Sequence, residues 1–311
     1  MTKPKHSRHK PQHRYWHEDL PERDAPDKTA PELDGDLNYL DDTYLEISRS
    51  SNKMSGVMIF FSIPLFLAVI FISAFIFRDI PSWIQQVGWI FLALPIAMLG
   101  AIAVGIHGIR LDVTTPRDQP IRFNRKLGKV YLYEYKHTWN PFGRWRPVTR
   151  EFDWNTLQAE ITRAAGFNGA GYMVRYALVL SSLKPGTNEV VDRFALNLTW
   201  DLYAMWAYCK RYMAEGPAAL PETPKRNQNI SLRRSFFAYM PHLDPTVDGK
   251  LARQKMHWVE WFLALLYIPA YPILAVLGLC HYIATRSEPV AAWPSSMDLE
   301  SSNAYGSRVL N

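Results

Sequence analysis

The chain has 311 residues, 48% hydrophobic and 21% charged, with a mean hydropathy of −0.17, averages that suit a soluble protein of one or two domains. They mislead, because the apolar residues concentrate in three uncharged runs. A net charge of +6 favours anionic partners such as lipid headgroups, nucleic acid or an acidic protein, and two cysteines, Cys209 and Cys280, exclude a disulfide framework.

Residues 1–55 are hydrophilic. Lys3, Lys5, Arg8, Lys10 and Arg14, with His6, His9, His13 and His17 between them, make the start basic; from Glu18 to Glu46 acids such as Asp34, Asp36, Asp41 and Asp42 reverse the sign. No short apolar core with a cleavage site appears, so a secretory signal peptide is not expected. With several prolines and few large apolar residues before Tyr39, the stretch reads as a disordered cytoplasmic tail. The histidines have no cysteine or carboxylate at ligand spacing, so no metal is assigned.

Residues 57–77 form the first run, uncharged and about 31 Å long as a helix, which matches the hydrocarbon core of a bilayer. A short connection containing Arg78, Asp79 and Pro81 leads to a second predicted membrane helix, 83–109, so the two form a tight hairpin. In the second helix Ala93, Ala97, Ala101 and Gly105 recur every four residues, a stripe that would let another helix approach closely. A third segment, 258–283, contains Pro269 and Pro272, which predict a bend. His107, Glu260 and His281 all lie near helix ends; a Glu260–His107 contact is one option and plain interfacial exposure the other. Pumps, coupled transporters and voltage sensors place charges at depth, so this pattern disfavours all three. Lys and Arg cluster before the first helix, after the second and before the third. The positive-inside rule therefore predicts a multi-pass inner-membrane protein with its N-terminus and middle domain cytoplasmic. Residues 284–311 are expected to be a disordered external, periplasmic tail.

The middle domain is expected over 111–221, followed by a basic linker, 222–257. Between Arg110 and His257 there are 23 Lys or Arg against 13 Asp or Glu, a surplus that makes this the basic part of the chain. Ile121–Phe123 and Val130–Tyr135 flank a turn with Gly128 at its left-handed position, and Tyr131, Tyr133 and Tyr135 give the second strand an aromatic face. Phe152–Ala165 reads as a short strand entering a helix. Tyr172–Ser182 and Val190–Asn197 form a second hairpin. Trp200–Ala214 is an amphipathic helix stopped by Gly216-Pro217. The fold class is therefore membrane α-helical with three transmembrane helices, plus a cytoplasmic α+β domain of antiparallel hairpins closed by a C-terminal helix. A pleckstrin-homology-like arrangement is one candidate.

The run IRFNRKLGKVYLYEY (121–135), then FDWNTL (152–157), then RYMAEGPAALP (211–221) resembles a family of uncharacterised proteobacterial membrane proteins. The resemblance covers about Gly56 to Pro221. It implies a helical hairpin before a cytoplasmic domain and, from genes often encoded beside type VI secretion effectors, an immunity or accessory role. Its motifs are structural and carry over no active site.

No Walker, nucleophile-elbow, zincin or paired CxxC motif occurs, and Gly166–Gly171 precedes a strand rather than a phosphate-binding helix, so no enzyme, cofactor or catalytic residue is expected. Two basic–aromatic stretches stand out as candidate partner- or lipid-binding residues. One holds Phe142, Arg144, Trp145, Arg146 and Arg150; the other holds Arg233, Arg234, Phe236 and Phe237. Arginine beside an aromatic ring suits a headgroup interface or a protein hot spot; the plainer reading is a cationic surface loop with partly buried rings. The expected partners are membrane lipids and a toxin or secretion-system protein, not nucleic acid, with a homo-oligomer left open. The leading function is a membrane-anchored immunity or accessory protein. The alternative is a structural inner-membrane protein whose basic domain organises anionic lipid or a secretion component.

Overall fold

A computed structural model describes residues 6–33, 35–50, 53–78, 80–88, 93–138, 140, 142–167, 172–197, 201–226 and 229–302. The N-terminal region departs most from expectation. Instead of a disordered tail it contributes β1 (Trp16–Asp19), β2 (Leu37–Leu40) and β3 (Tyr44–Ile47). Each strand has four residues, too few to signal itself locally. Order comes from distant partners: β1 pairs with residues 160–162, and β3 pairs along its length with residues 121–124. Leu20, Leu33, Leu37, Leu45 and Ile47 are almost wholly buried, and that burial offsets the ordering entropy that low average hydrophobicity appeared to forbid.

The chain then leaves the sheet for α1 (Val57–Phe77), α2 (Ile80–Val87) and α3 (Ala93–Thr114), and returns as β4 (Ile121–Asn124). Ile47 and Ile121 are register partners, so the helices interrupt what is otherwise the β3–β4 hairpin. The domain is therefore discontinuous and wider than 111–221. After β4 come β5 (Lys129–Lys136), β6 (Arg146–Asp153), β7 (Leu157–Phe167), β8 (Tyr172–Leu183) and β9 (Val190–Asn197). Two antiparallel sheets result, β2-β3-β4-β5-β6 and β1-β7-β8-β9. Gly128, at φ +62°, makes the β4–β5 turn as expected. The helix expected up to Ala165 is instead strand β7. Leu157, Ala159 and Ile161 alternate into the core, and pairing with β8 along eleven residue positions overrides the helix propensity of Ala, Gln and Glu. Residues 168–171 of the glycine-rich stretch lie outside the described residues.

α4 (Leu202–Glu215) starts with the Asp201 carboxylate accepting the Ala204 N–H at 2.9 Å and ends at Gly216, φ +91°. Trp206, Tyr208, Cys209 and Tyr212 on α4 join Phe123, Leu132, Leu180 and Leu196 from both sheets in one core.

α1 matches its expected bounds. The second helix does not: residues 83–87 belong to α2, which ends at Gly88 (φ +59°), and the long helix begins at Ala93. α2 is amphipathic and, at eight residues, too short to cross a membrane, so the hairpin connection is longer than expected. α1, α3 and residues 268–287 are long and apolar enough to cross a membrane, with mean hydropathies of 2.7, 1.7 and 1.5. α1 and α3 pack together, but the small-residue stripe is only partly the contact. Ala93 and Ala97 face outward, and Ala101 is half-buried. Gly105 and Gly108 are buried: a Cβ on Gly105 would lie 2.6 Å from the Phe66 ring, and Ser62 Oγ donates to the Gly105 carbonyl at 3.1 Å. A strict four-residue repeat turns about 40° per step and drifts off the contact face, which alternating steps of three and four follow.

Five shorter helices complete the chain: α5 (Leu232–Phe236), α6 (Val247–Lys255), α7 (Trp258–Leu266), α8 (Tyr271–Ser287) and α9 (Ser295–Ser301). The bend predicted at Pro269 and Pro272 is a full break between α7 and α8, with Pro269 in a single 3-10 turn and Pro272 in the first turn of α8. The C-terminal segment is likewise ordered over its described residues, 288–302. It folds back as a strap on the outer face of the five-stranded sheet, where Trp293 stacks edge-on against Tyr133 and Glu300 accepts from the Tyr131 hydroxyl. The aromatic face of β5 is the reason this segment has somewhere to bind.

Candidate functional site

The first basic–aromatic stretch is the β5–β6 loop, which rests on α3. Trp145 is buried, with Arg110 stacked on its ring at 4.6 Å and His107 and His137 edge-on at 5.4 and 5.8 Å. Arg110 Nη2 also donates to the Gly143 carbonyl at 2.9 Å. Phe142, Arg144 and Arg146 stay exposed, and Phe142 is 83% open. Arg150 does not belong with them: it is committed to Glu134 (2.7 Å) and Asp192, tying β6 to β5 and to β9 of the other sheet. His107 meets Trp145 edge-on, while Glu260 accepts the His257 N–H at the start of α7 at 2.8 Å.

The second stretch is α5, packed along α8 so closely that a Cβ on Gly278 would lie 2.4 Å from the Phe236 carbonyl oxygen. Phe236 and Phe237 are half-buried and edge-to-face at 5.1 Å, while Arg233 and Arg234 are exposed. The loop and α5 sit on different helices, α3 and α8.

The structure adds residues that no motif flagged. Arg49, ahead of α1, donates to the carbonyls of Gln119 (2.6 Å), Tyr133 (2.7 Å) and Ala195 (3.1 Å), bridging both sheets; burial pushes its guanidinium down to about 10. Asp112 at the end of α3 accepts the Ile59 N–H at 2.9 Å, supplying the cap that Gly56 at the start of α1 cannot. Lys53 reaches the Asp112 and Thr115 carbonyls and pairs with Glu288 at 2.8 Å, holding α3 to the start of the strap. Arg122 lies between the rings of Tyr44 (4.4 Å) and Trp293 (4.7 Å), paired with Glu46 and Asp298. All are isolated ionic residues whose partners are remote in sequence, so spacing alone could not find them. Only Arg122, inside IRFNR, fell within a quoted motif.

A family model for a family of unknown function, DUF6708, matches residues 98–305, more than half of the chain. The chain belongs to the DUF6708 family. The DUF6708 match runs from within α3, through both hairpins and α4, to the strap, so it includes the strap's binding face as well as the strap. No curated protein and no solved structure matches the chain.

Proposed function

We propose that this DUF6708 member is a membrane-anchored, non-enzymatic binding protein, with the α1–α3 hairpin as anchor and the two-sheet domain held at the headgroup surface. The carrying observation is the outward face of that hairpin. Phe61, Leu67, Ile70, Phe71, Phe75, Phe77, Ile96, Leu99 and Val104 are all exposed, and α1 buries only Ile59 and Ser62 against the protein. So much apolar surface on two adjacent helices of membrane-spanning length requires a nonpolar solvent. Phe142, Arg144 and Arg146, held beside α3 by buried Trp145, are placed to meet headgroups.

In this reading α8 lies along the membrane surface rather than across it. Arg253 Nη1 donates to the His242 carbonyl at 2.7 Å, and His242 bonds the Tyr271 hydroxyl at 2.8 Å, so charged α6 flanks the start of α8. Lys250 and Lys255 on α6 are exposed, a costly arrangement inside hydrocarbon. α7 and α8 instead offer Trp258, Trp261, Phe262, Leu265, Ile273 and Val276 as an exposed apolar face suited to interfacial seating. The described N-terminal strands and the C-terminal strap then both lie on the domain's side, which the concentration of Lys and Arg there makes cytoplasmic, at the bacterial inner membrane.

The test is alkaline carbonate washing of membranes carrying the full chain. Retention in the pellet is expected, and release into the supernatant would refute anchoring. The immunity or accessory role toward a type VI effector, implied by the resemblance, is a special case of this reading. A deletion strain should become sensitive to a sibling carrying the effector, and equal survival would remove that role.

A further inference from the structure

Two cavities, of about 290 Å³ and about 480 Å³, open where the helices meet the sheets. Arg117, Ile230 and Thr285 line both, which makes them one cleft. Arg234 from α5 lines the first part and Arg226 the second, with Arg117 between them. We propose that this cleft binds the phosphate of an anionic phospholipid headgroup, gripped by the guanidinium groups of Arg117, Arg226 and Arg234. The proposal rests on the membrane-anchored reading above and gives it a ligand.

Position is the first argument. Arg117 follows the end of α3 by three residues, and Thr285 lies in the last turn of α8. The cleft therefore sits where apolar helix gives way to polar sheet, at headgroup depth. Charge is the second. Arg117 is half-buried, and burial, then Arg226, push its pKa below the ordinary arginine value; Arg234 acts in the same direction, while Glu288 and Asp118 oppose them. Like-charged guanidinium groups around a solvent-filled space are relieved by an anion, and their planar forks match phosphate oxygens.

The acids on the walls are largely engaged elsewhere. Asp118 accepts from the Arg49 N–H (2.8 Å) and Asn38 (2.7 Å), with Arg226 at a longer 3.4 Å. Glu288 serves Lys53, and Asp244 accepts from the Thr246 hydroxyl at 2.7 Å. Glu46 and Asp298 pair with Arg122, which leaves the second oxygen of Glu288 and Asp248, exposed on the rim, to compete with a ligand. Ile230 and Phe237 add apolar wall for the glycerol end of a lipid.

The experiment is native mass spectrometry of the detergent-purified full chain, titrated with phosphatidylglycerol, phosphatidylcholine or inorganic phosphate. One phosphatidylglycerol should bind ahead of phosphatidylcholine. Arg234→Gln should weaken that first site about tenfold, as loss of a charge-assisted contact does. Arg234 is exposed, so the variant should fold. Lys184→Gln, an equal charge change at the exposed β8–β9 turn, should leave binding unchanged, and Asp248→Asn should tighten it. Equal binding of the two lipids, or an unaltered first site in Arg234→Gln, would overturn the proposal. Displacement of lipid by an equal concentration of inorganic phosphate would overturn the headgroup as ligand. A chain released by carbonate would sink the anchored reading; a retained chain indifferent to Arg234 would sink the cleft alone.

Discussion

Arg122 offers a direct test of how the C-terminal strap is held. Its Nε and Nη2 both donate to Glu46 Oε2, at 3.1 and 2.9 Å, while Nη1 donates to Asp298 Oδ1 at 2.8 Å and the guanidinium stacks on Trp293. Arg122→Met keeps much of the apolar stem and removes both strap contacts. Asp298 is 56% exposed, so its ion pair contributes only about 0.5–1 kcal/mol. The stack on Trp293, shielded between two rings, adds about 1–2 kcal/mol. Their sum, about 2 kcal/mol, should raise the detached population about thirtyfold. At low protease concentration, cleavage follows that population. Cutting after Leu299, on the strap, by a chymotrypsin-like protease should therefore accelerate by the same factor, read as loss of the C-terminal fragment by mass spectrometry. Arg122→Lys, which keeps the charge but not the fork, should fall between. A cleavage rate within threefold of the parent would show that Glu300, Asn124 and Tyr133 hold the strap without Arg122, and would refute this reasoning.

Other outcomes follow from single contacts. Val290→Cys, on the strap at 89% exposure, should resist a membrane-impermeant maleimide in intact cells and label after permeabilisation; the native thiols are buried and should stay silent. Labelling in intact cells would instead place the strap outside, as the positive-inside reading of three spanning helices expects. Gly56→Ala should lower thermal stability in detergent by at least about 2 kcal/mol, because it combines φ +88° with a Cβ 2.4 Å from the His281 backbone nitrogen. Ala97→Leu on the open face of α3 should change it by less than about 0.5 kcal/mol, and equal effects would contradict the packing described. Acidification should loosen residues 6–19 in two steps. His9 is buried, and burial lowers its pKa from 6.5, so its contribution is lost as pH falls below 6.5. Burial raises the Asp19 carboxyl, but hydrogen bonds from the Arg8 N–H, Trp16 and Ser7 outweigh it and hold it below 3.8, so its contribution is lost lower still. Hydrogen exchange of this segment across pH should show both steps. His9→Phe should abolish the upper one, and an unchanged profile would count against it.

What the sequence reveals here divides by range of interaction. α1 is legible to the residue because 21 consecutive uncharged positions need no partner to declare themselves. The β4–β5 and β8–β9 hairpins are legible because turn glycines and alternation are local signals, and α4 because its apolar face repeats at helical spacing. β1, β2, β3 and the strap are not: Trp16 meets Thr162, Tyr44 meets Asn124, and Asp298 meets Arg122 across 176 positions. β7 looks helical in isolation and becomes a strand only beside β8. The candidate site follows the same rule. Phe142, Arg144 and Arg146 are exposed beside a helix as their clustering suggests, whereas Arg150 is consumed by Glu134 and Asp192, neither of which its neighbourhood announces.

The insertion of the helices between β3 and β4 has a consequence for how the protein is made. A ribosome delivers β1 to β3 first, then about seventy residues that include the apolar helices α1 and α3, and only afterwards the strands that complete either sheet. Leu37, Leu45 and Ile47 therefore cannot complete their sheet until α1 and α3 have emerged, because β3 pairs with β4, so closing the sheet reports that the hairpin is complete. The Arg49 N–H already lies 2.8 Å from the Asp118 carboxylate, so the gap left by removing the hairpin is short. A chain in which a tight turn replaces residues 50–117, and which stops before the apolar helices α7 and α8, should yield the two-sheet domain as a water-soluble protein.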